Sequence, residues 1–357
     1  MEIGIYTFGD LPADARGPQA AQQRLKEIVA AAKLADEAGL HVFGVGEHHR
    51  SDYAVSAHTV VLGAIAAVTR NIRLTSAVTI LSSADPVRVF EDFATLDLLS
   101  DGRAELMAGR GAFTESFPLF GFELQDYEVL YNEKLELLLK LRTNERITWE
   151  GRFRPALDGV EVAPRPSSGK LPIWIGAGGT PQSAVRAGQA GLPLNLANIG
   201  GEPARFKPFI DLYRKSGLAA GHAADDLQVA ISGHLHMQRD SQRARDEFFP
   251  HYTHYMRHNL PQRDVGWAIS KSDYAQLASP HGSLFVGSPQ EIADKILYEH
   301  ELFGHQRFLA QVDIGGLPFA KVAQVIELLA SDVLPMVQRA LGKQGSPGAS
   351  AVLKPTS

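Results

Sequence analysis

The stretch GLHVFGVGEHHR, from Gly39 to Arg50, combines a helix end, a short strand and a charged cluster. Gly39 follows a helical segment and can adopt the left-handed conformation that ends helices. The apolar run at 42–45 is typical of a strand buried on both faces. An acid and two imidazoles follow at 47–49, where a salt bridge or a capping histidine is the structural alternative. Because parallel α/β folds build their active sites at this end of the strands, the stretch predicts the fold class and the place of the site.

Strand-like and helix-like segments alternate about eight times along the chain. The strand-like runs are Ile3–Phe8, 42–45, Ile72–Leu81, Ala104–Arg110, Leu171–Gly176, Leu194–Ala197, Leu227–Met237 and Arg307–Val312. Such βα units close most economically into an α/β fold of the (β/α)8 TIM-barrel type, with insertion loops near the C-terminal face. An open doubly wound sheet is the alternative, but the first βα turn lacks the GxGxxG fingerprint of that fold.

We expect one TIM-barrel domain over residues 1–341, with an insertion at about 259–283 and a flexible C-terminal tail over 342–357. The insertion has little periodicity, and long loops in compact domains often cover or bind substrates. The insertion is therefore our candidate for a lid. The tail GKQGSPGASAVLKPTS has the composition of disordered segments.

The composition excludes several classes of function. The chain has 357 residues, of which 45% are hydrophobic and 21% charged, as in ordinary globular proteins. Its net charge of −5 and the lack of a basic stripe argue against nucleic acid and anionic membranes as partners. It has no cysteine, so disulfides and thiolate sites are excluded. Since no apolar run reaches the ~18 residues of a membrane span, we expect a cytoplasmic protein.

Two segments later in the chain predict an anion site. Arg110 stands between two glycines at a predicted strand end, where glycines allow close approach and an arginine can bind an anion through two hydrogen bonds. A surface-loop arginine is the alternative. In IWIGAGGTPQSA (173–184), a buried strand leads through Gly178, Gly179 and Thr180 into a helix. Free amides and the helix dipole favour a phosphate there, and Thr180 and Ser183 can add hydroxyl donors.

Two groups of histidines could bind a ligand. His251, His254 and His258 share one face of a predicted helix, but aromatic residues lie between them and no carboxylate joins that face. We therefore predict no metal site. His234 and His236 share one face of a predicted strand. One face of a barrel strand points into the lumen, so this pair is a candidate for substrate contact.

Five motifs in order resemble the bacterial luciferase-like flavin monooxygenases. They are the strand ending in EHH, the run TSAVTILSSADPVRVFEDFATLDLLSDGRAEL, the GRG around Arg110, the loop IWIGAGGT and the segment FVGSPQEIADKI. The resemblance covers roughly residues 1–340. It implies a TIM barrel, usually homodimeric, that uses O₂ and reduced FMN supplied by a separate flavin reductase to oxidise a small organic substrate.

The resemblance also implies roles for particular residues. His48 matches the family's active-site histidine, with Glu47 as a supporting acid near the flavin ring. Ala77 and Val78 lie where the family often has a cis non-prolyl peptide bond under the ring. The other implied cofactor contacts are Arg110 near the phosphate, Gly178, Gly179, Thr180 and Ser183 in the phosphate loop, and Leu196, Ala197 and Asn198 along the flavin's edge.

The sequence departs from the luciferases proper at two positions, with Phe113 in place of a tyrosine and Asp85 in place of a histidine. Both departures leave the substrate and light emission open. The nearest rival function is a deazaflavin-dependent oxidoreductase of the same superfamily, which transfers hydride without O₂. A flavin-binding protein without turnover is a third candidate, and a metal-dependent TIM-barrel hydrolase is a fourth. The hydrolase would need Asp, Glu and His at several strand ends, and only the second offers them clearly.

Overall fold

Parallel strands close into a barrel in the computed structural model of the protein, which describes residues 1–111, 113–259 and 269–344. In chain order the strands are β1 (Glu2–Thr7), β2 (Val42–Val45), β3 (Arg73–Ser76), β4 (Thr79–Ile80), β5 (Ala104–Gly109), β6 (Arg146–Trp149), β7 (Leu157–Glu161), β8 (Ile173–Ala177), β9 (Leu194–Ala197), β10 (Val229–Met237), β11 (Phe285–Gly287) and β12 (Arg307–Gln311). The barrel runs β1-β2-β3-β5-β8-β9-β10-β12, and the parallel pairing of β12 with β1 closes it. The TIM-barrel prediction is confirmed.

Helices cover the outside of the barrel. They are α1 (Pro18–Glu37), α2 (His58–Ala66), α3 (Pro86–Leu99), α4 (Ser116–Phe120), α5 (Tyr127–Thr143), α6 (Pro181–Gln189), α7 (Lys207–Ala219), α8 (Ser241–Asn259), α9 (Lys271–Leu277), α10 (Pro289–Phe303), α11 (Phe319–Leu328) and α12 (Leu334–Gln344). None of these helices is long and apolar enough to cross a membrane. At the start of α3, the Asp85 side chain accepts hydrogen bonds from the amides of Val87 (2.8 Å) and Arg88 (3.3 Å), as expected of an N-cap.

One predicted strand differs from the structure, and two other predicted segments are described only in part. The predicted strand Ile72–Leu81 is divided into β3 and β4, because the chain turns at residues 77 and 78 before it pairs again with β5. Helix α12 continues to Gln344, past the predicted start of the tail at 342, and residues 345–357 of the tail lie outside the described residues. The predicted insertion contains α9, and its residues 260–268 also lie outside them.

Two apolar layers hold the barrel together. The larger layer lies between strands and helices and includes Ile3 and Ile5 of β1, which are fully or almost fully buried. The smaller layer fills the barrel and includes Tyr6 of the same strand. This alternation follows from strand geometry, in which successive side chains point to opposite faces. The residues of the inner layer are Tyr6, Val42, Ala77, Met107, Trp174, Ala230 and Leu309.

Ion pairs close the N-terminal end of the barrel. Arg307 of β12 donates to both carboxylate oxygens of Glu105 on β5, at 2.6 and 3.0 Å, and its Nε donates to Glu2 at 2.8 Å. Arg73 of β3 pairs with the same two glutamates. The Arg307 guanidinium also lies 4.3 Å from the ring centroid of Trp174. Four strands are therefore tied together at the end of the barrel away from the site, which leaves the C-terminal end free for function.

We expect Arg307→Ala to lower the free energy of unfolding by about 3–5 kcal/mol, because it removes two hydrogen bonds from the buried carboxylate of Glu105 and leaves it with Arg73 alone. Denaturant unfolding measures this change. The control is Arg146→Ala, which removes the exposed ion pair with Glu161 on β7 and should cost no more than about 1 kcal/mol. Equal losses in the two variants would contradict a structural role for the buried network.

Candidate active site

A cavity of about 360 Å³ opens at the C-terminal ends of the barrel strands. Parallel strands direct these ends to one rim of the barrel, so residues far apart in the sequence meet there. The predicted site residues that line the cavity are Glu47, His48, Ala77, Val78, Arg110, Gly178, Thr180 and Ala197. The structure therefore brings together most of the residues chosen from the sequence.

His48 lies buried in this cavity, at the end of β2. Its Nδ1 is 2.9 Å from Oε1 of Glu115, and its ring stacks on Tyr53 with centroids 4.2 Å apart. Phe113 contacts the imidazole edge-on at 5.0 Å. Burial alone would raise the pKa of Glu115, but the hydrogen bond with His48, a backbone hydrogen bond and the charges of His48 and Arg50 together lower it. The carboxylate therefore holds the imidazole in one orientation.

The neighbouring His49 points away from the cavity, as expected of successive residues at a strand end. Its Nε2 lies 3.4 Å from Oε2 of Glu47, and its ring contacts Phe120 edge-on at 5.1 Å. Of these two neighbouring imidazoles, His48 is therefore the one that lines the cavity.

Glu47 is a buried carboxylate with three polar neighbours. Its Oε1 accepts a hydrogen bond from the amide of Ile80 at 2.6 Å, and its Oε2 lies 3.5 Å from Nδ1 of His58 and 3.4 Å from Nε2 of His49. Burial would raise its pKa, but the hydrogen bonds from His49, His58 and the Ile80 amide prevail and lower it to about 2. Glu47 is therefore ionised at neutral pH, and it positions the chain after β3.

The cavity wall beside Glu47 contains a cis peptide bond between Ala77 and Val78, as the sequence resemblance implied. The Val78 side chain packs against two glycines of neighbouring strands. A Cβ atom would lie 2.5 Å from Val78 at Gly109 and 2.6 Å from it at Gly176. Only glycine gives this valine room, so these strands can form the flat apolar wall of the cavity.

The rim of the cavity carries an anion cradle, formed by Arg110, Thr180, Ser183 and Arg186. Nη2 of Arg110 donates to the hydroxyls of Thr180 at 3.1 Å and Ser183 at 3.3 Å. Thr180 and Ser183 lie at the N-terminus of α6, where free amides and the helix dipole favour negative charge, whereas Arg110 follows β5 and Arg186 lies in the last turn of α6. The Glu128 carboxylate already binds there, paired with Arg110 and at 3.2 Å with Arg186. A carboxylate of the protein therefore pairs with both arginines of the cradle.

Comparison with known proteins agrees with this geometry. The profile of the family described as "Luciferase-like monooxygenase" matches residues 1–306. The chain belongs to the luciferase-like monooxygenase family. Among its relatives is the alkanal monooxygenase alpha chain of the Kryptophanaron alfredi symbiont, 22% identical over 93% of this chain and 98% of the relative. Family membership supports an oxidoreductase enzyme.

Solved structures share the fold. Monooxygenase RslO1 from Streptomyces bottropensis superposes with a TM-score of 0.82 at 26% identity, covering 94% of this chain and 99% of that one. The oxygenating constituent of 3,6-diketocamphane monooxygenase from Pseudomonas putida, in complex with FMN, gives 0.75 at 18% identity over 94% and 98%. A secondary alcohol dehydrogenase dependent on coenzyme F420 gives 0.70 at 16% identity over 94% and 98%.

Not every residue that the family resemblance suggested lies in the cavity. Leu196 packs into the layer between strands and helices. Nδ2 of Asn198 donates to Glu299 of α10 at 2.6 Å, behind the rim. Burial raises the pKa of Glu299 to about 8. Gly179 has a positive φ, and a Cβ there would meet Phe206 at 2.6 Å, so this glycine shapes the loop. Of the three residues at 196–198, Ala197 lines the cavity.

Other polar residues of the cavity region escaped the sequence analysis. Glu115 follows β5 and contacts His48, which lies 67 positions earlier in the chain. No local sequence pattern therefore identifies Glu115 as a site residue. Asn195, Ser232 and Gln311 line the cavity from strands that read as ordinary buried runs. Period-2 alternation on β10 could have drawn attention to Ser232, because it shares a face with His234.

The histidines on α8 have partners within the protein. Nδ1 of His251 lies 3.1 Å from the carbonyl oxygen of Gly315. Nδ1 of His258 lies 2.9 Å from the carbonyl oxygen of His254, one turn earlier in the helix. These contacts join α8 to the chain after β12 and support its last turn. On β10, His236 lies 3.1 Å from Glu247 and stacks on Phe248.

We expect Glu128→Gln to bind inorganic phosphate about 3–10-fold more tightly than the unchanged protein, because it removes a carboxylate that competes for Arg110 and Arg186. Isothermal titration with phosphate measures the change. Glu136→Gln on the same helix is the control, since Glu136 pairs with the exposed Lys140 and should leave the affinity unaltered. Weaker phosphate binding in Glu128→Gln would show that this carboxylate orients the arginines instead of competing with the anion.

Proposed function

We propose that the protein is a flavin-dependent monooxygenase that uses reduced FMN and O₂ to oxidise a small organic substrate. The observation that carries the proposal is the pairing, within one cavity, of an anion cradle at the rim with a carboxylate-held histidine inside. A phosphate-bearing cofactor with a broad aromatic ring matches both features. Membership of the luciferase-like family and the FMN complex of a structural neighbour support the same assignment.

The residues of the cradle fit a phosphate monoester. Arg110 offers a guanidinium, Thr180 and Ser183 offer hydroxyls, and the first turn of α6 offers backbone amides. Glu128 shows that an anion is already accepted between Arg110 and Arg186. In our proposal these groups bind the FMN phosphate, which displaces the Glu128 carboxylate.

The wall of Ala77 and Val78 would hold the ring. It is apolar, and Glu47 keeps the following residues in place through the amide of Ile80. The ring supplies the electrons for O₂ when it is bound in reduced form. The protein's task is then to keep water out. The aromatic side chains Phe8, Tyr53 and Phe113 surround His48 and serve that purpose.

His48 is the residue that we propose to move a proton. Its Nδ1 is held by the carboxylate of Glu115, which favours a proton on that nitrogen. Nε2 is then the ring nitrogen left to exchange a proton with a reacting group in the cavity. Glu47 is ionised and therefore serves as a positioning residue and not as an acid. A flavin-binding protein without turnover has no need of such a held imidazole.

A deazaflavin-dependent hydride transfer is the second candidate. The structural neighbour that depends on coenzyme F420 has the same fold, with a TM-score of 0.70. The cradle of Arg110, Thr180 and Ser183 would accept the phosphate of either cofactor. The two candidates differ in their use of O₂, so titration followed by exposure to oxygen separates them.

Two partners complete the proposal. A separate flavin reductase would supply the reduced FMN, and the neighbour described as the "oxygenating constituent" of its monooxygenase supports such a division of labour. A second copy of this chain would pack on α2 and α3. Those helices expose Val60, Leu98 and Leu99, with 71%, 47% and 65% of their surfaces accessible. α2 and α3 pack against each other, and exposed apolar side chains on adjacent helices favour an interface there.

We expect the protein to bind FMN saturably and the reduced form more tightly, and Arg110→Ala to weaken binding at least about tenfold through loss of the phosphate contact. Fluorescence titration under anaerobic conditions measures both, with the exposed Arg152→Ala as control. Admission of O₂ should then oxidise the bound FMN. If neither redox form binds, the monooxygenase proposal fails, and binding of a deazaflavin cofactor in its place would support the hydride-transfer candidate.

For the proposed dimer, we expect Leu99→Glu to convert the protein from dimer to monomer, because burying the new charge costs several kcal/mol. Light scattering after size exclusion gives the mass directly. Leu218→Glu, on the exposed face of α7, should leave the dimer intact. A monomeric unchanged protein at micromolar concentration would refute the interface.

A further inference from the structure

One wall of the cavity carries polar side chains without partners. Both side-chain polar atoms of Gln311, Nδ1 of His234 and Oδ1 of Asn195 are buried and make no hydrogen bond to any residue that the structure describes. These residues are 0%, 2% and 4% exposed, and all three line the cavity. Almost all buried polar atoms of folded proteins have a partner, so several unpaired atoms on one wall indicate a missing ligand.

The strand register places these groups side by side. His234 on β10 is the register partner of Gln311 on β12, and Gln311 is the partner of Tyr6 on β1. The three side chains form a row across adjacent strands. Beside this row, Nδ2 of Asn195 donates to the hydroxyl of Ser232 at 3.0 Å, which fixes the amide and leaves its Oδ1 free. The wall is therefore organised before any ligand arrives.

The row lies across the barrel from the proposed flavin site. In the strand order β1-β2-β3-β5-β8-β9-β10-β12, β10 stands opposite β3, and β12 stands opposite β5. β3 leads into the cis peptide wall, and β5 leads to Arg110. A ring lying against Val78 would leave the opposite wall, with Gln311 and His234, for another molecule.

The wall is uncharged. Burial lowers the pKa of His234 to about 3, so the imidazole is neutral. Burial also raises the pKa of the Tyr6 phenol, which stays protonated. Among the described residues that line the cavity, the acidic and guanidinium side chains are Glu47 and Arg110, and these lie on the flavin side. A charged ligand group would find no opposite charge on the wall itself.

We propose that Asn195, His234 and Gln311 form the substrate subsite of the monooxygenase, and that it takes an uncharged group able to donate and accept hydrogen bonds, such as a carboxamide or lactam. This inference rests on the proposed function. The amide of Gln311 presents a donor and an acceptor on one edge, so another amide can pair with it through two hydrogen bonds. The rest of the substrate is apolar, because Phe8, Tyr255 and Leu309 surround the row.

The ring of a flavin has an imide edge that also donates and accepts hydrogen bonds. The experiment must therefore distinguish a substrate amide from the flavin's imide edge as the group that binds this wall. The test titrates the protein, saturated with FMN, with three probes of similar shape, namely benzamide, acetophenone and benzoate. The FMN absorbance and saturation-transfer NMR report binding. Gln311→Met keeps the length of the side chain and removes both polar atoms.

We expect the unchanged protein to bind benzamide at least about tenfold more tightly than acetophenone or benzoate, and Gln311→Met to remove the preference with the affinity for FMN within about twofold. Equal binding of the three probes, or an undiminished preference in Gln311→Met, would overturn the proposal. Loss of about tenfold in FMN affinity on Gln311→Met, without an amide preference, would assign the wall to the flavin's imide edge and also overturn it.

Two further arms keep the result interpretable. If Gln311→Met does not fold by circular dichroism, Asn195→Leu is judged by the same criteria. If the unchanged protein binds no FMN, the proposed function fails separately, and NMR with the protein alone still measures whether the wall prefers benzamide. Preference for the amide there would support the wall as an amide subsite, and its absence would overturn it.

Discussion

A single buried carboxylate organises the candidate site. Glu47 lies at the end of β2, ionised, with the amide of Ile80 and the imidazoles of His49 and His58 around it. A charge in this position is stable because hydrogen bonds replace the lost water. The arrangement ties β2 to the chain after the cis peptide bond and to the start of α2. The apolar wall at Val78 depends on this tie, whereas Glu115 holds the orientation of His48.

The charged residues that stabilise the barrel and those of the candidate site lie at opposite ends of the barrel. At its N-terminal end, Arg307 and Arg73 neutralise Glu105 and Glu2 within the network of buried and partly buried ion pairs. At the C-terminal end, Arg110 stays on the rim, where an exposed glutamate balances it. Between these ends the cavity is mostly apolar, with neutral polar groups on one side. This change from a charged rim to a mostly apolar cavity suits a cofactor with a charged tail and a ring. The neutral polar groups on one side suit a substrate with a weakly polar group.

The barrel was well predicted because this fold follows from the alternation of strands and helices along the chain. Buried strands of parallel sheets are short apolar runs, and the helices between them are amphipathic, so local patterns identify each unit. The EHH cluster and the glycine loop were found for the same reason, since they sit at strand ends. Glu47 was predicted as a supporting acid, and its lowered pKa and its hydrogen bond with the Ile80 amide favour a positioning role.

Contacts across the barrel could not be predicted in this way. Glu115 and Gln311 have no local signature, because their significance comes from neighbours tens or hundreds of residues away. Asn198 and Ala197 are adjacent in sequence, yet Ala197 lines the cavity and Asn198 bonds Glu299 behind it. Glu128 lies on a helix that reads as an ordinary amphipathic segment, and its two arginine partners come from the end of β5 and from α6, which are distant in the sequence.

The central claim is that one cavity holds a phosphate at its rim and a flavin ring against the cis peptide wall. A crystal structure of the protein soaked with FMN tests it most directly. The account predicts density for the phosphate within hydrogen-bonding distance of Arg110, Thr180 and Ser183, with Glu128 displaced and the ring against Val78. A phosphate bound elsewhere, or a ring away from Val78 with the Arg110–Glu128 pair intact, would contradict it.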